Sequence, residues 1–100
     1  MRSKSILVRK KLSNLYSNLI QNEFRFLGKG EFDLQTILSA VKKRYSNLCD
    51  DNYMCYQSCS HGAKNTPEWQ HRVRAALGRL KDTERNVRKG VARNYWVIGV

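Results

Sequence analysis

Acidic residues and long apolar runs are both scarce in this sequence, and each shortage excludes a class of protein. Only eight of the 100 residues are Asp or Glu. A metal-dependent hydrolase needs two or three carboxylates beside a lysine or histidine on a rigid element. Asp33 and Glu68 are better explained as residues at helix starts, and Asp50 and Asp51 fall in a predicted loop. We therefore expect a protein with no catalytic site.

The basic N-terminal stretch contains an apolar run of only three residues, Ile6, Leu7 and Val8. This run is too short for a signal peptide or a membrane span. The three cysteines are an odd number, which fits a reducing compartment better than a disulfide framework. We expect a cytoplasmic, nucleoid-associated protein with one domain, residues 1–100.

Basic residues are abundant, in contrast. Nineteen Lys and Arg residues bring the net charge to +11. Such an excess attracts polyanions, and nucleic acid is the first candidate partner, with an anionic membrane surface as the second. The alternative is a protein that is merely basic and soluble.

Hydrophobic spacing predicts three helices. A first helix covers about residues 7–26, within an N-terminal helical segment 1–27 that Gly28 and Gly30 end. The second begins at Asp33, which suits an N-cap, with Phe32 and Ile37 as a hydrophobic staple. A long loop, 47–66, precedes the third helix, about 67–81, for which Thr66 is the predicted N-cap and Pro67 the first residue.

The sequence after the third helix predicts a β-hairpin. Val87 lies in one short strand, residues 94–98 are rich in strand-forming side chains, and residues 90–93 can turn the chain. The expected fold is mainly α with a C-terminal β-hairpin, an α+β winged helix-turn-helix of three helices and a wing, with its core at 31–99.

In that fold the third helix lies in the major groove of DNA and the hairpin flanks it. Gln, His and Arg on the polar side of the helix can contact base edges, which makes Gln70, His71 and Arg74 the predicted base-reading residues. The predicted contacts to the DNA backbone are Lys43, Arg72, Arg79, Lys81, Arg88, Lys89 and Arg93. From residue 71 to residue 100, eight cations face two acids. The alternative for this segment is a solvated basic face.

Short motifs add a resemblance to a known group of domains. They are residues 32–35 (FDLQ), 41–45 (VKKRY), 48–51 (LCDD), 67–74 (PEWQHRVR) and the Tyr95-Trp96 pair. In this order they resemble the winged-helix domains beside nuclease domains in bacterial restriction endonucleases, including modification-dependent and HNH types. The resemblance implies DNA binding in restriction or transcription regulation, beside a nuclease partner protein, but not cleavage. Such domains usually carry a glycine after this helix, where Asp82-Thr83-Glu84 stands here.

Cys49, Cys55, Cys59 and His61 lie close together in the predicted loop. Three thiolates and an imidazole could complete a tetrahedral structural zinc site. Their spacing does not match paired zinc knuckles, and the alternative is loop cysteines without a metal, with no cofactor at all. The zinc content per chain after dialysis decides between these: about one ion is expected for a site, and none excludes it.

Double-stranded DNA is the partner that these features favour. A protein-interaction module is the alternative function, in which the winged helix docks a partner or the first helix forms a homodimer. RNA is a weaker candidate, because the exposed aromatic residues of a stacking platform are not evident.

Overall fold

The computed structural model describes residues 2–53 and 66–99, with side chains from residue 7 onward. The chain is of the mixed α+β class, with three helices and one three-stranded antiparallel sheet in the described part. The elements are α1 (Arg2–Asn22), β1 (Gly30–Asp33), α2 (Leu34–Arg44), α3 (Glu68–Asp82), β2 (Val87–Lys89) and β3 (Tyr95–Ile98), with 3-10 turns at Arg25–Leu27 and Ser46–Leu48. No described helix is both long and apolar enough to cross a membrane.

The packing of α1 against α3 forms the centre of the core. Apolar residues recur every three or four positions on both helices, which places them on one side of each. The stripe of α1 is Val8, Leu12, Leu15 and Leu19, and that of α3 is Trp69, Val73, Ala76, Leu77 and Leu80. All nine are buried, which confirms the inward stripe that helical spacing predicts for α3. On α2 the spacing predicts a stripe of Leu34, Ile37, Leu38, Val41 and Tyr45. Ile37, Leu38 and Val41 are buried, and Leu34 and Tyr45 are half-buried.

The first helix ends earlier than its sequence predicts. It stops at Asn22, because Glu23 and Phe24 adopt left-handed backbone angles with φ of 57° and 58°. This bend directs Phe24 into the core, where it is fully buried, and a 3-10 turn follows before Gly28. The prediction of one helix to residue 26 was therefore wrong, since burial of Phe24 overrides the helical spacing.

The sheet contains a strand that the sequence analysis did not predict. β1 pairs with β3, which also pairs with β2, so the C-terminal strand lies in the middle. The hairpin of β2 and β3 with its turn after Lys89 is confirmed. Four residues, none of them fully buried, are too few to show a period of two in the sequence. β1 forms because β3 offers it a free edge.

Both helix starts after β1 depend on hydrogen bonds to the first turn. The Asp33 carboxylate accepts a hydrogen bond from Thr36 N at 3.3 Å, which confirms Asp33 as the N-cap of α2. At α3 the predicted cap was wrong. Pro67, with extended angles, is the residue before the helix, and Glu68 N donates instead to the carbonyl of Tyr53 at 2.9 Å. The predicted loop 47–66 thus begins with a short 3-10 turn and docks on α3; residues 54–65 lie outside the described part.

The C-terminus of α3 closes without the usual glycine. Glu84 N donates to Lys81 O at 3.1 Å and Arg85 N to Leu80 O at 2.8 Å, which is the Schellman pattern. The residue in the left-handed position is Glu84, with φ of 55°. A residue with a Cβ is strained in this conformation, whereas glycine is not.

We expect Glu84→Gly to raise the free energy of unfolding by about 1 kcal/mol, because it removes the left-handed strain. Urea unfolding followed by circular dichroism measures the change. Glu84→Ala is the matched control: it removes the same charge but keeps the Cβ, so it should give no comparable gain. Equal stabilisation by both substitutions would show that charge, not backbone strain, is the source.

Candidate nucleic-acid interface

Of the predicted base-reading residues, His71 and Arg74 lie on the side of α3 away from its buried stripe, and Gln70 lies at the edge of the stripe, toward α2. Arg74 and Ala75 are exposed, while Gln70 and His71 are half-buried, and Gly78 is half-buried one turn further on. None of the three predicted base-reading side chains belongs to the core. Small residues at 75 and 78 leave the backbone of the helix open to close approach from this side.

The first turn of α3 is attached to α2 through Asp51, a contact that the sequence analysis missed. Its carboxylate accepts a hydrogen bond from the indole Nε1 of Trp69 at 2.8 Å and forms an ion pair with Lys42. The ammonium of Lys42 also lies 5.7 Å from the centroid of the Trp69 ring. We call these three residues the Asp51 clamp. It fixes the end of α3 that carries Gln70, although Asp51 lies in a predicted loop, 18 positions before Trp69 in the sequence.

The Asp51 clamp borders an open cleft of about 350 Å³ between α2 and α3. Lys43 and Gln70, two predicted DNA-contacting residues on different helices, both line this cleft. Gln35 and Ser39 of α2 add an amide and a hydroxyl to the same wall. The structure thus brings together polar donors of the kinds that contact phosphates and sugars in protein–DNA complexes.

Several cations of the second half of the chain lie in ion pairs within the protein. Arg72 Nε lies 3.5 Å from Glu68 Oε2, and Lys81 Nζ lies 3.5 Å from Asp82 Oδ1. Two of the predicted backbone-contacting residues, Arg72 and Lys81, are therefore ion-paired. Arg85 binds Glu23 at 2.9 Å, which joins the end of α1 to the segment before β2.

Another group of cations is exposed and has no such partner. Within residues 7–53 and 66–99, no acidic side chain forms an ion pair with Arg74, Arg79, Arg88 or Arg93. All four lie on α3 or on the hairpin. Lys89 of the hairpin stacks its ammonium 4.6 Å from the centroid of the Trp96 ring, its cross-strand neighbour. A cation held over an aromatic face keeps its charge and loses mobility.

Close packing holds the base of the hairpin turn in place. A Cβ on Gly90 would lie 2.6 Å from the Glu31 carboxylate and 2.9 Å from the backbone of Tyr95, so only glycine fits there. Gly90 N donates to Tyr95 O, and Leu34 N at the start of α2 donates to Asn94 O, both at 2.8 Å. The turn beyond is open, with Val91 fully exposed beside Arg93.

The predicted zinc site falls mostly on residues whose structure is not described. Cys55, Cys59 and His61 lie outside the described residues, while Cys49 is buried in the core and burial raises the pKa of its thiol to about 11. Among the described residues no cluster of three metal-ligating side chains occurs. The zinc site stays a prediction.

The comparisons of this chain with known proteins found no match. No family model matches it, and no curated protein or solved structure is similar to it at a significant level. The resemblance to winged-helix domains of restriction enzymes therefore stays a prediction from short motifs.

The Asp51 clamp leads to a testable prediction about the pKa of the Asp51 carboxyl. Hydrogen bonds from Lys42 and then from Trp69 lower the pKa of the Asp51 carboxyl below its ordinary 3.8. The contact therefore stabilises the fold above pH 3.8 and is lost as the pH falls through the lowered pKa. We expect Lys42→Met to raise this pKa toward 3.8, measured by NMR titration of the carboxyl carbon.

Lys43→Met is the matched control for this titration, because it removes the same charge from the neighbouring residue, which forms no ion pair with Asp51 in the described structure. It should leave the pKa of Asp51 nearly unchanged. Equal rises in the two variants would show that Lys42 acts only as one charge among many.

Proposed function

We propose that the chain binds double-stranded DNA as a winged helix-turn-helix, with the outer side of α3 in the major groove and the hairpin on the backbone. The observation that carries this proposal is the distribution of cations described above. Acidic side chains are paired with cations such as Arg72 and Arg85, while Arg74, Arg79, Arg88 and Arg93 stay exposed on α3 and the hairpin. We propose a binding role without catalysis.

The element order supports the same proposal. Three helices are followed by a hairpin, and the hairpin is joined to the start of α2 by β1 and by the bond from Leu34 N to Asn94 O. Because β1 pairs with β3 of the hairpin and leads directly into α2, the hairpin has a defined position relative to the helices. A helix with a flanking basic hairpin can contact base edges and phosphates at once, which is how winged helices recognise duplexes.

The roles follow from the chemistry of the side chains. Arg74 can form two hydrogen bonds with guanine O6 and N7, and Gln70 can do the same with adenine N6 and N7. Arg88 and Arg93 can only reach the backbone in this arrangement, so they contribute affinity without sequence information. Lys43, beside the cleft, is a further candidate for a phosphate contact.

We expect Arg74→Ala to weaken binding to the preferred duplex by about 1–3 kcal/mol and to relax the sequence preference, because one base contact is lost. Arg88→Ala should instead weaken all duplexes alike and lower the log–log salt slope by about 0.9. Fluorescence anisotropy with a duplex selected from a random pool, at several salt concentrations, measures both effects.

Arg25→Ala is the control for these variants, because Arg25 already binds Glu23 at 2.6 Å and lies outside α3 and the hairpin. It should leave binding almost unchanged. Arg74→Ala with unchanged affinity for every duplex would contradict the assignment of α3. No binding of any duplex at micromolar protein and moderate salt would favour the protein-interaction module instead.

A further inference from the structure

The positive charge of the chain is concentrated in two separate segments. Residues 1–22 contain five Lys or Arg and no acid, and residues 71–100 contain eight cations and two acids. Residues 23–70 contain six of each and are neutral. The proposed DNA-binding surface uses the second segment, so the charge of α1 is left without a function.

Of the described cations of α1, Lys10 lies opposite the buried stripe, and Arg9 and Lys11 lie on its two flanks, because consecutive residues of a helix are about 100° apart. Val8, Leu12, Leu15 and Leu19 are buried, and α1 packs chiefly on α3. Arg9, Lys10 and Lys11 are exposed, as are Ser13, Asn14, Ser17, Asn18 and Gln21 further along. We call these eight residues the α1 outer face. Within the described residues, no ion pair neutralises its three cations.

The two basic surfaces therefore lie on opposite sides of a helix pair. The buried stripes of α1 and α3 face each other, so their exposed sides point in opposite directions. With each helix about 10–12 Å across, roughly 20 Å separates the two surfaces. A duplex that contacts the outer side of α3 therefore lies on the other side of the helix pair from Lys10, which is opposite the buried stripe of α1.

We propose that the α1 outer face binds the phosphate backbone of a second DNA segment, so that one protein molecule bridges two duplexes. This inference rests on the proposed function of α3. Lys, Arg, Ser, Asn and Gln are the side chains that contact DNA phosphates and sugars. An amphipathic membrane helix would instead need a free apolar side, and on α1 that side is buried, with Leu7 its one exposed large hydrophobic residue among those described.

A capture assay tests the bridge with the full chain. One biotinylated duplex is fixed to beads, a fluorescent duplex of the same sequence is added, and the retained fluorescence is measured with and without protein. We expect wild-type protein to retain the second duplex. The triple variant Arg9→Gln, Lys10→Gln, Lys11→Gln should bind a single duplex normally by anisotropy but lose retention of the second duplex, because its contacts to the phosphates are gone.

Single substitutions provide the matched control. Lys10→Gln should reduce capture of the second duplex, whereas Lys29→Gln, which removes one exposed charge outside both surfaces, should not. Circular dichroism and sedimentation of each variant check that the fold and the oligomeric state are unchanged. Full capture by the triple variant would contradict the bridge and indicate dimerisation as its source.

The two proposals fail in different ways. Wild-type protein that binds one duplex but captures no second one would overturn the bridge alone. Wild-type protein that binds no duplex at all would overturn the proposed function and the bridge with it. If the triple variant loses even the single duplex while Arg74→Ala keeps it, then α1 and not α3 holds DNA, which contradicts both assignments.

Discussion

The contact between the apolar stripes of α1 and α3 determines the rest of this structure. Leu12, Leu15 and Leu19 of one helix and Val73 and Leu77 of the other are buried in it. Each such side chain contributes roughly 1.5–3 kcal/mol when it is removed from water, so the rotation of both helices is strongly fixed. Once these residues face inward, the 3.6-residue period of the helix places the side chains on the opposite side of each helix toward the outside.

The scarce acidic residues shape the surface that results. Glu23 holds Arg85 and Arg25 at the end of α1, Glu68 pairs with Arg72, and the Asp51 clamp joins α2 to α3. These acids serve the fold and neutralise the cations beside them. Among the described residues, the exposed cations that are not in an ion pair lie on α1, α3 and the hairpin, and also at Lys29 and at Lys43 and Arg44 of α2. Exposed charge of this kind attracts a polyanion.

Sequence periodicity was enough to predict the parts of the fold that depend on local patterns. The stripes of α2 and α3, the Asp33 cap and the hairpin all follow from side chains within a few positions of one another. The end of α1, the strand β1 and the start of α3 could not be predicted in this way. Each depends on a distant partner: the core that takes up Phe24, the free edge of β3, and the carbonyl of Tyr53.

The candidate site also has some features that follow from local sequence patterns and others that depend on distant contacts. The outward position of Arg74 follows from the α3 stripe alone, and the structure agrees with it. The ion pair of Arg72 with Glu68 could have been foreseen, because residues four positions apart lie on the same face of a helix. That of Lys81 with its immediate neighbour Asp82 could not, since adjacent residues of a helix do not face each other. The Asp51 clamp could not, because it joins residues from three parts of the chain, and no sequence pattern links an aspartate in a loop to Lys42 and Trp69.

The central claim is that the outer side of α3 and the hairpin form a DNA-binding surface. The most direct measurement is an NMR titration of nitrogen-labelled protein with a short mixed-sequence duplex, at substoichiometric to equimolar DNA. The account predicts the largest chemical-shift changes at the amides of residues 70–79 and 87–94. Changes confined to residues outside these two segments, or none at all, would contradict it.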